Sequence, residues 1–208
     1  MYPPRRDNRL RDTRLTRQEQ QQSPRSEAAN VVNGVDLEVL GGTVSAVQAE
    51  PELGVCRFRA RNTWVDGARN ESRVTGFYGA AQEIAHRQPF TMIADEPPIL
   101  AGNDDGANPV EHLLHALASC LTTAMVAHAA VRGIRIEAME SELEGDLDLN
   151  GFLGLNPKTP KGYTDIRVKF RVDTADGDID AIRELAEFSP VFNTLTNGVN
   201  VDVQVERK

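Results

Sequence analysis

Residues 108–133 read NPVEHLLHALASCLTTAMVAHAAVRG, and the fold turns on how they are read. The side chain of Asn108 can accept from the free N–H groups that open a helix. Pro109 suits the first helical position, and Glu111 stands three residues after the cap, where a capping box needs it. Gly133 supplies the left-handed residue that ends such a helix, and Arg132 lies at its negative end. The stretch predicts a helix over 108–132. It is apolar or small around most of its circumference, so it belongs at the centre of the molecule. Its alanines leave room for a second backbone to approach. Ser119, Thr122, Thr123 and His128 interrupt the 116–131 run, which favours a core helix over a membrane span.

On the N-terminal side, VCRFRARNTWV (55–65) alternates. Cys56, Phe58, Ala60 and Trp64 point one way and Arg57, Arg59 and Arg61 the other, as in a strand with one buried face. Asp66-Gly67 is a hairpin turn signal, and residues 68–79 return as the partner strand. A third strand is predicted at 89–95. Prolines and glycines make 96–107 a loop. Upstream, Leu37, Leu40, Val44 and Val47 have helical spacing, although Gly41 and Gly42 weaken that helix. On the C-terminal side, strands are predicted within 134–149 and 163–174, separated by the glycine- and proline-marked excursion 150–162. A helix follows over 176–188, then a short one capped by Ser189, started by Pro190 and ended by Gly198. An alternating strand, VNVDVQVE (199–206), closes the chain. The order predicts an α+β fold with helices over a mostly antiparallel sheet.

Charge divides the chain. Residues 1–25 hold seven arginines against three acids, net +4, which leaves −12 for the remainder of a chain whose total is −8. The N-terminal segment 1–29 reads as a disordered basic tail, and 30–208 as one domain. An acidic body disfavours nucleic acid as a partner, and no membrane association is expected. The opening MYPPRRDNRLRDTRL lacks the apolar stretch of a signal peptide. Two cysteines make no disulfide framework, so a cytoplasmic location is expected. Four scattered histidines suggest neither a metal site nor a cofactor.

Cys120 is the open chemical question. Most helical cysteines are packing residues. A nucleophilic one needs a thiolate, and a thiolate needs a nearby cation or a helix N-terminus. Cys120 lies twelve residues past the cap, and its helical neighbours Ala116, Leu117, Thr123 and Ala124 are not basic. Any activating cation therefore comes from elsewhere in the fold or from a second subunit. Arg61, Arg69 and Arg87 are candidates, with Arg69 favoured because it follows the turn of the first hairpin. His112, two turns from Cys120, is a remote candidate base.

The helix motif NPVEHLLHALASCL resembles the central helix of the OsmC/Ohr family, the osmotically induced and organic-hydroperoxide-resistance proteins. The NTWVDG hairpin, the DEPPILAG loop, the GDLDLNGFLGL excursion and the terminal SPVFNTLTNGVNVDVQVE agree with it in order. The resemblance spans roughly residues 35–206. It implies an intertwined α+β homodimer with active sites where the subunits meet. It also implies thiol-dependent reduction of organic hydroperoxides through Cys120, an activating arginine, for which Arg69 is the favoured candidate, and a glutamate on the helix that holds it, for which Glu111 is the candidate. Two departures stand out. Ser189 occupies the place of the family's second, resolving cysteine, so an external thiol is expected to act as reductant. Val110 occupies the place of the glutamate, with Glu111 one residue later and, at about 100° per residue, on the opposite side of the helix from Cys120. Cys56 is read as inward packing on the first strand. The alternative function is a non-catalytic dimer holding a small lipophilic ligand in an interface pocket.

Overall fold

The computed structural model of this chain describes residues 30–175 and 177–207; the basic tail expected over 1–29 lies outside them. A two-residue ladder, β1 (Val31–Val32) and β2 (Val35–Asp36), turns through Asn33. The Asn33 side chain ties this start to a distant segment: Nδ2 donates to the Ile134 carbonyl and Oδ1 accepts from Ile136 N–H, both at 2.9 Å. Asp36 then caps α1 (Leu37–Ala49), accepting from the N–H groups of Glu38 and Val39. This is the helix expected upstream, and it buries none of its residues.

The arginine-rich segment forms β3 (Arg57–Phe58) and β4 (Arg61–Asp66), which follow one another along one edge of β5 (Arg69–Gly79). β6 (Gln82–Ala94) runs along the other edge, and all pairings are antiparallel. Gly67, at φ 53°, makes the turn that Asp66-Gly67 foretold. One expectation fails here. β4 has no buried residue, Phe58 is 76% exposed and Trp64 69%. The alternation is real, but no described element of the same chain covers its apolar side. Cys56 is exposed for the same reason, not packed inward.

α2 (Pro109–Val131) is the long central helix. It delivers the chain to β7 (Ala138–Asp146), which pairs with β8 (Asp165–Asp173) from Ala138↔Asp173 to Asp146↔Asp165. The excursion between them contains a one-turn helix, α3 (Leu149–Phe152). Then come α4 (Ile179–Glu184), a 3-10 turn at Leu185–Phe188, and α5 (Pro190–Asn197). The core forms where Leu117, Leu121, Met125 and Ala129 of α2 meet Ile182 and Leu185, with Phe170 and Val172 of β8 packed against them. The architecture is the α+β arrangement expected. The closing strand is not: residues 199–206 pair with no described strand, and Val199, Val201, Val203 and Val205 are 63–91% exposed. Their alternation prepares a strand edge that the described residues leave without a neighbour.

Candidate active site

The site is built on α2, whose start is held by four hydrogen bonds. Asn108 Oδ1 accepts from Glu111 N–H and Glu111 Oε2 accepts from Asn108 N–H, each at 2.8 Å, a complete capping box. His112 Nε2 donates to the Ile93 carbonyl at the end of β6 (3.0 Å). The Tyr163 hydroxyl donates to the Val110 carbonyl (3.1 Å). Burial, and then the negative charge of Glu111, push the Tyr163 pKa up, so the phenol remains a donor. The preceding loop is organised by Asp95, which is 1% exposed and accepts from the N–H groups of Glu96, Asn103 and Asp105. Burial alone would raise the Asp95 pKa, but those three N–H bonds and the charge of Arg69 outweigh it and hold the group ionised below its ordinary range.

Arg69 pairs with Asp105 of the same loop at 3.1 Å. It therefore stands beside the helix start. Cys120 lies eleven residues beyond Pro109, a rise of about 16 Å along the helix axis. Among the described residues Arg69 bonds Asp105 and Glu111 bonds Asn108, both at the start of α2, and neither bonds Cys120. Glu111 is held by its capping bonds.

Cys120 is half-buried and unpaired by any disulfide. On the helix wheel it falls about 100° from Leu121, on the flank of the core stripe and not within it. Two apolar hollows open along the inner face of β8. One, of about 320 Å³, is lined by Leu121, Met125, Phe170, Ile182 and Phe192. The other, of about 480 Å³, is lined by Leu113, Leu117, Tyr163, Ile166 and Leu195. Cys120 lines neither of them.

Ser189 is fully buried, and its Oγ accepts from Phe192 N–H at 3.2 Å. Its backbone carbonyl accepts from Asn193 Nδ2 at 2.9 Å. The residue at the resolving position is therefore the cap of α5. Near the other end of α2, His128 stacks on Phe188 with ring centroids 4.0 Å apart, and the Arg132 guanidinium lies 5.4 Å from the same ring. Burial first, and Arg132 second, push the His128 pKa down. This stack and the Asp95 anchor were missed in the sequence. A strand-ending aspartate before a proline turn was the available signal for the anchor. The stack joins residues 60 positions apart and left no local signal.

Residues 102–204 match the OsmC-like protein family. Among solved structures, an OsmC-like protein of unknown function from Vibrio cholerae O1 biovar eltor superposes with a TM-score of 0.51 at 13% identity, covering 70% of this chain and 95% of that one. An OsmC-like protein from Mycoplasma pneumoniae gives 0.49 at 18% identity, covering 68% and 89%. The organic hydroperoxide resistance protein OhrB of Bacillus subtilis gives 0.38 at 24% identity, covering 73% and 98%. No curated protein sequence matches the chain. The matched segment holds α2, the excursion, β8 and α5, and on that ground residues 102–204 belong to the OsmC-like family.

Proposed function

We propose that the protein is a cytoplasmic homodimer that reduces organic hydroperoxides through Cys120, with an external thiol as reductant. The supporting observation is the position of that thiol: half-buried, on the flank of a central helix whose own core stripe lies to one side. The chemistry is a displacement at oxygen. The Cys120 thiolate attacks the terminal oxygen of ROOH, the O–O bond breaks, and ROH leaves after taking a proton. Sulfur is oxidised to a sulfenic acid. Ser189 carries no sulfur and is occupied as a cap, so an external thiol condenses with the sulfenic acid, releasing water. A second thiol then frees Cys120 as a disulfide departs.

A thiolate needs a cation. Arg69 is the favoured source, contributed by a second subunit, since within one chain it serves the start of α2. Glu111 fixes that helix start. A dimer is supported by what the described residues leave bare. The face of the β3–β6 sheet carrying Phe58, Trp64, Phe90 and Met92 is 41–76% exposed at those residues, and the valines of 199–205 are more so. Exposed apolar residues in such number mark an interaction site.

The test is hydroperoxide consumption in the presence of a small dithiol, with native protein and Cys120→Ser. Loss of turnover in the variant is expected; equal rates remove the enzyme reading. The two apolar hollows beside β8 favour a second reading, a dimer that holds a small lipophilic ligand. Under it, an apolar fluorophore binds with equal affinity to both proteins and neither consumes peroxide.

A further inference from the structure

Arg61 and Arg73 stand directly opposite one another across the β4–β5 ladder. Opposed side chains on one sheet face are about 5 Å apart at Cβ, and like charges there are destabilising. Neither guanidinium has a carboxylate partner among the described residues, in a chain with 31 acidic residues and a net charge of −8. Two neighbouring arginines are neutralised. Arg59 grips Glu83 with both terminal nitrogens at 2.8 Å, and Arg69 holds Asp105. Glu71, two residues before Arg73, is opposite Thr63 and pairs with neither arginine.

The same place is hollow. A concavity of about 490 Å³ is lined by Arg59, Ala60, Arg61, Arg73 and Thr75. It does not lie on the sheet's apolar side. Trp64, and Val74 opposite Phe90, alternate with these arginines along their strands and so project from the other face. A partner that covers the apolar face leaves the arginine hollow open.

We propose that this hollow is an oxyanion site. It takes the phosphoryl group of a small molecule between the Arg61 and Arg73 guanidinium groups, with the Thr75 hydroxyl as a further donor. Two cations without acids balance a phosphoryl dianion, whereas a single carboxylate leaves one charge over. Guanidinium forks also match phosphoryl oxygens in pairs. A polynucleotide is disfavoured by the acidic remainder of the chain. The site is independent of the redox chemistry of Cys120.

The experiment is calorimetry and thermal unfolding of the full chain with inorganic phosphate against chloride at matched ionic strength, using native protein, Arg61→Gln and Arg73→Gln. Phosphate is expected to bind one per chain and raise Tm beyond the chloride control. Each variant should weaken binding by about tenfold or more, as loss of a charged hydrogen-bonding partner does. In phosphate-free, low-salt buffer each variant should be more stable than the native chain, because repulsion is relieved. A merely structural arginine would give the opposite sign. Phosphate no better than chloride, unchanged binding in both variants, or lower anion-free stability would overturn the proposal. Retention on phosphatidic acid vesicles without binding of free phosphate would overturn the small-molecule assignment.

Discussion

Ala80 and Ala81 hold φ of 47° and 57°, a left-handed pair at the tip of the β5–β6 hairpin. Such a turn prefers asparagine and glycine, since an L side chain there costs about 1–2 kcal/mol per residue. Ala81→Gly should therefore raise stability by about 1 kcal/mol, read from the denaturant midpoint at unchanged slope. An Ala-Ala pair carries no turn signal, which is why the third strand was expected only from residue 89 and not from 82. Asp66-Gly67, with its glycine at φ 53°, was legible because its residue types match its geometry. His128 gives a pH prediction. Its folded pKa lies below the ordinary value of 6.5, so the unfolded chain binds the proton more tightly. The stability from this group is complete above 6.5 and is lost as pH falls through that value toward the depressed folded pKa. His128→Phe keeps the stack on Phe188 and removes the titration. Its Tm should fall less steeply than that of the native chain between about pH 7.5 and about pH 5.

At the scale of elements, α5 depends on Ser189. Ser189→Ala should cost about 1 kcal/mol, the usual loss of a cap, and leave the Cys120 reaction of the folded protein intact. A slower reaction in Ser189→Ala at equal folded fraction would return a chemical role to that position. Leu121→Ala, in the stripe shared with Ile182 and Leu185, should cost about 2–5 kcal/mol in denaturant unfolding. Caps at Asn108 and Ser189 are legible in the sequence, because each is a local bargain between a side chain and the N–H groups just after it. Burial of β4 could not. Alternation states which face wants cover, and here the described chain does not provide it. The same holds for 199–206, whose valines alternate as a strand requires and yet lie beside no described strand. The place of Arg69 just after the Asp66-Gly67 turn is legible in the sequence. Its bond to Asp105 is a long-range contact that spacing along the chain does not encode.

For the whole molecule, the proposed dimer gives one explanation for the bare sheet face, the unpaired valine segment and the half-covered flank of α2: in it a second copy covers them and supplies the rest of the reaction centre. Deleting residues 199–208 should then shift the chain from dimer to monomer in sedimentation. Subunit mixing tests the shared site. Arg69→Ala and Cys120→Ser proteins, each inactive alone, should regain up to about a quarter of native activity after exchange, since a symmetric heterodimer holds one intact site of two. No regain would place the activating cation elsewhere. The most direct measurement is the chemical state of residue 120 after one equivalent of an organic hydroperoxide with no thiol present, read by dimedone capture and peptide mass. A sulfenic acid on Cys120, formed one for one with the alcohol, is the predicted result; a free Cys120 thiol beside unreacted hydroperoxide contradicts the account.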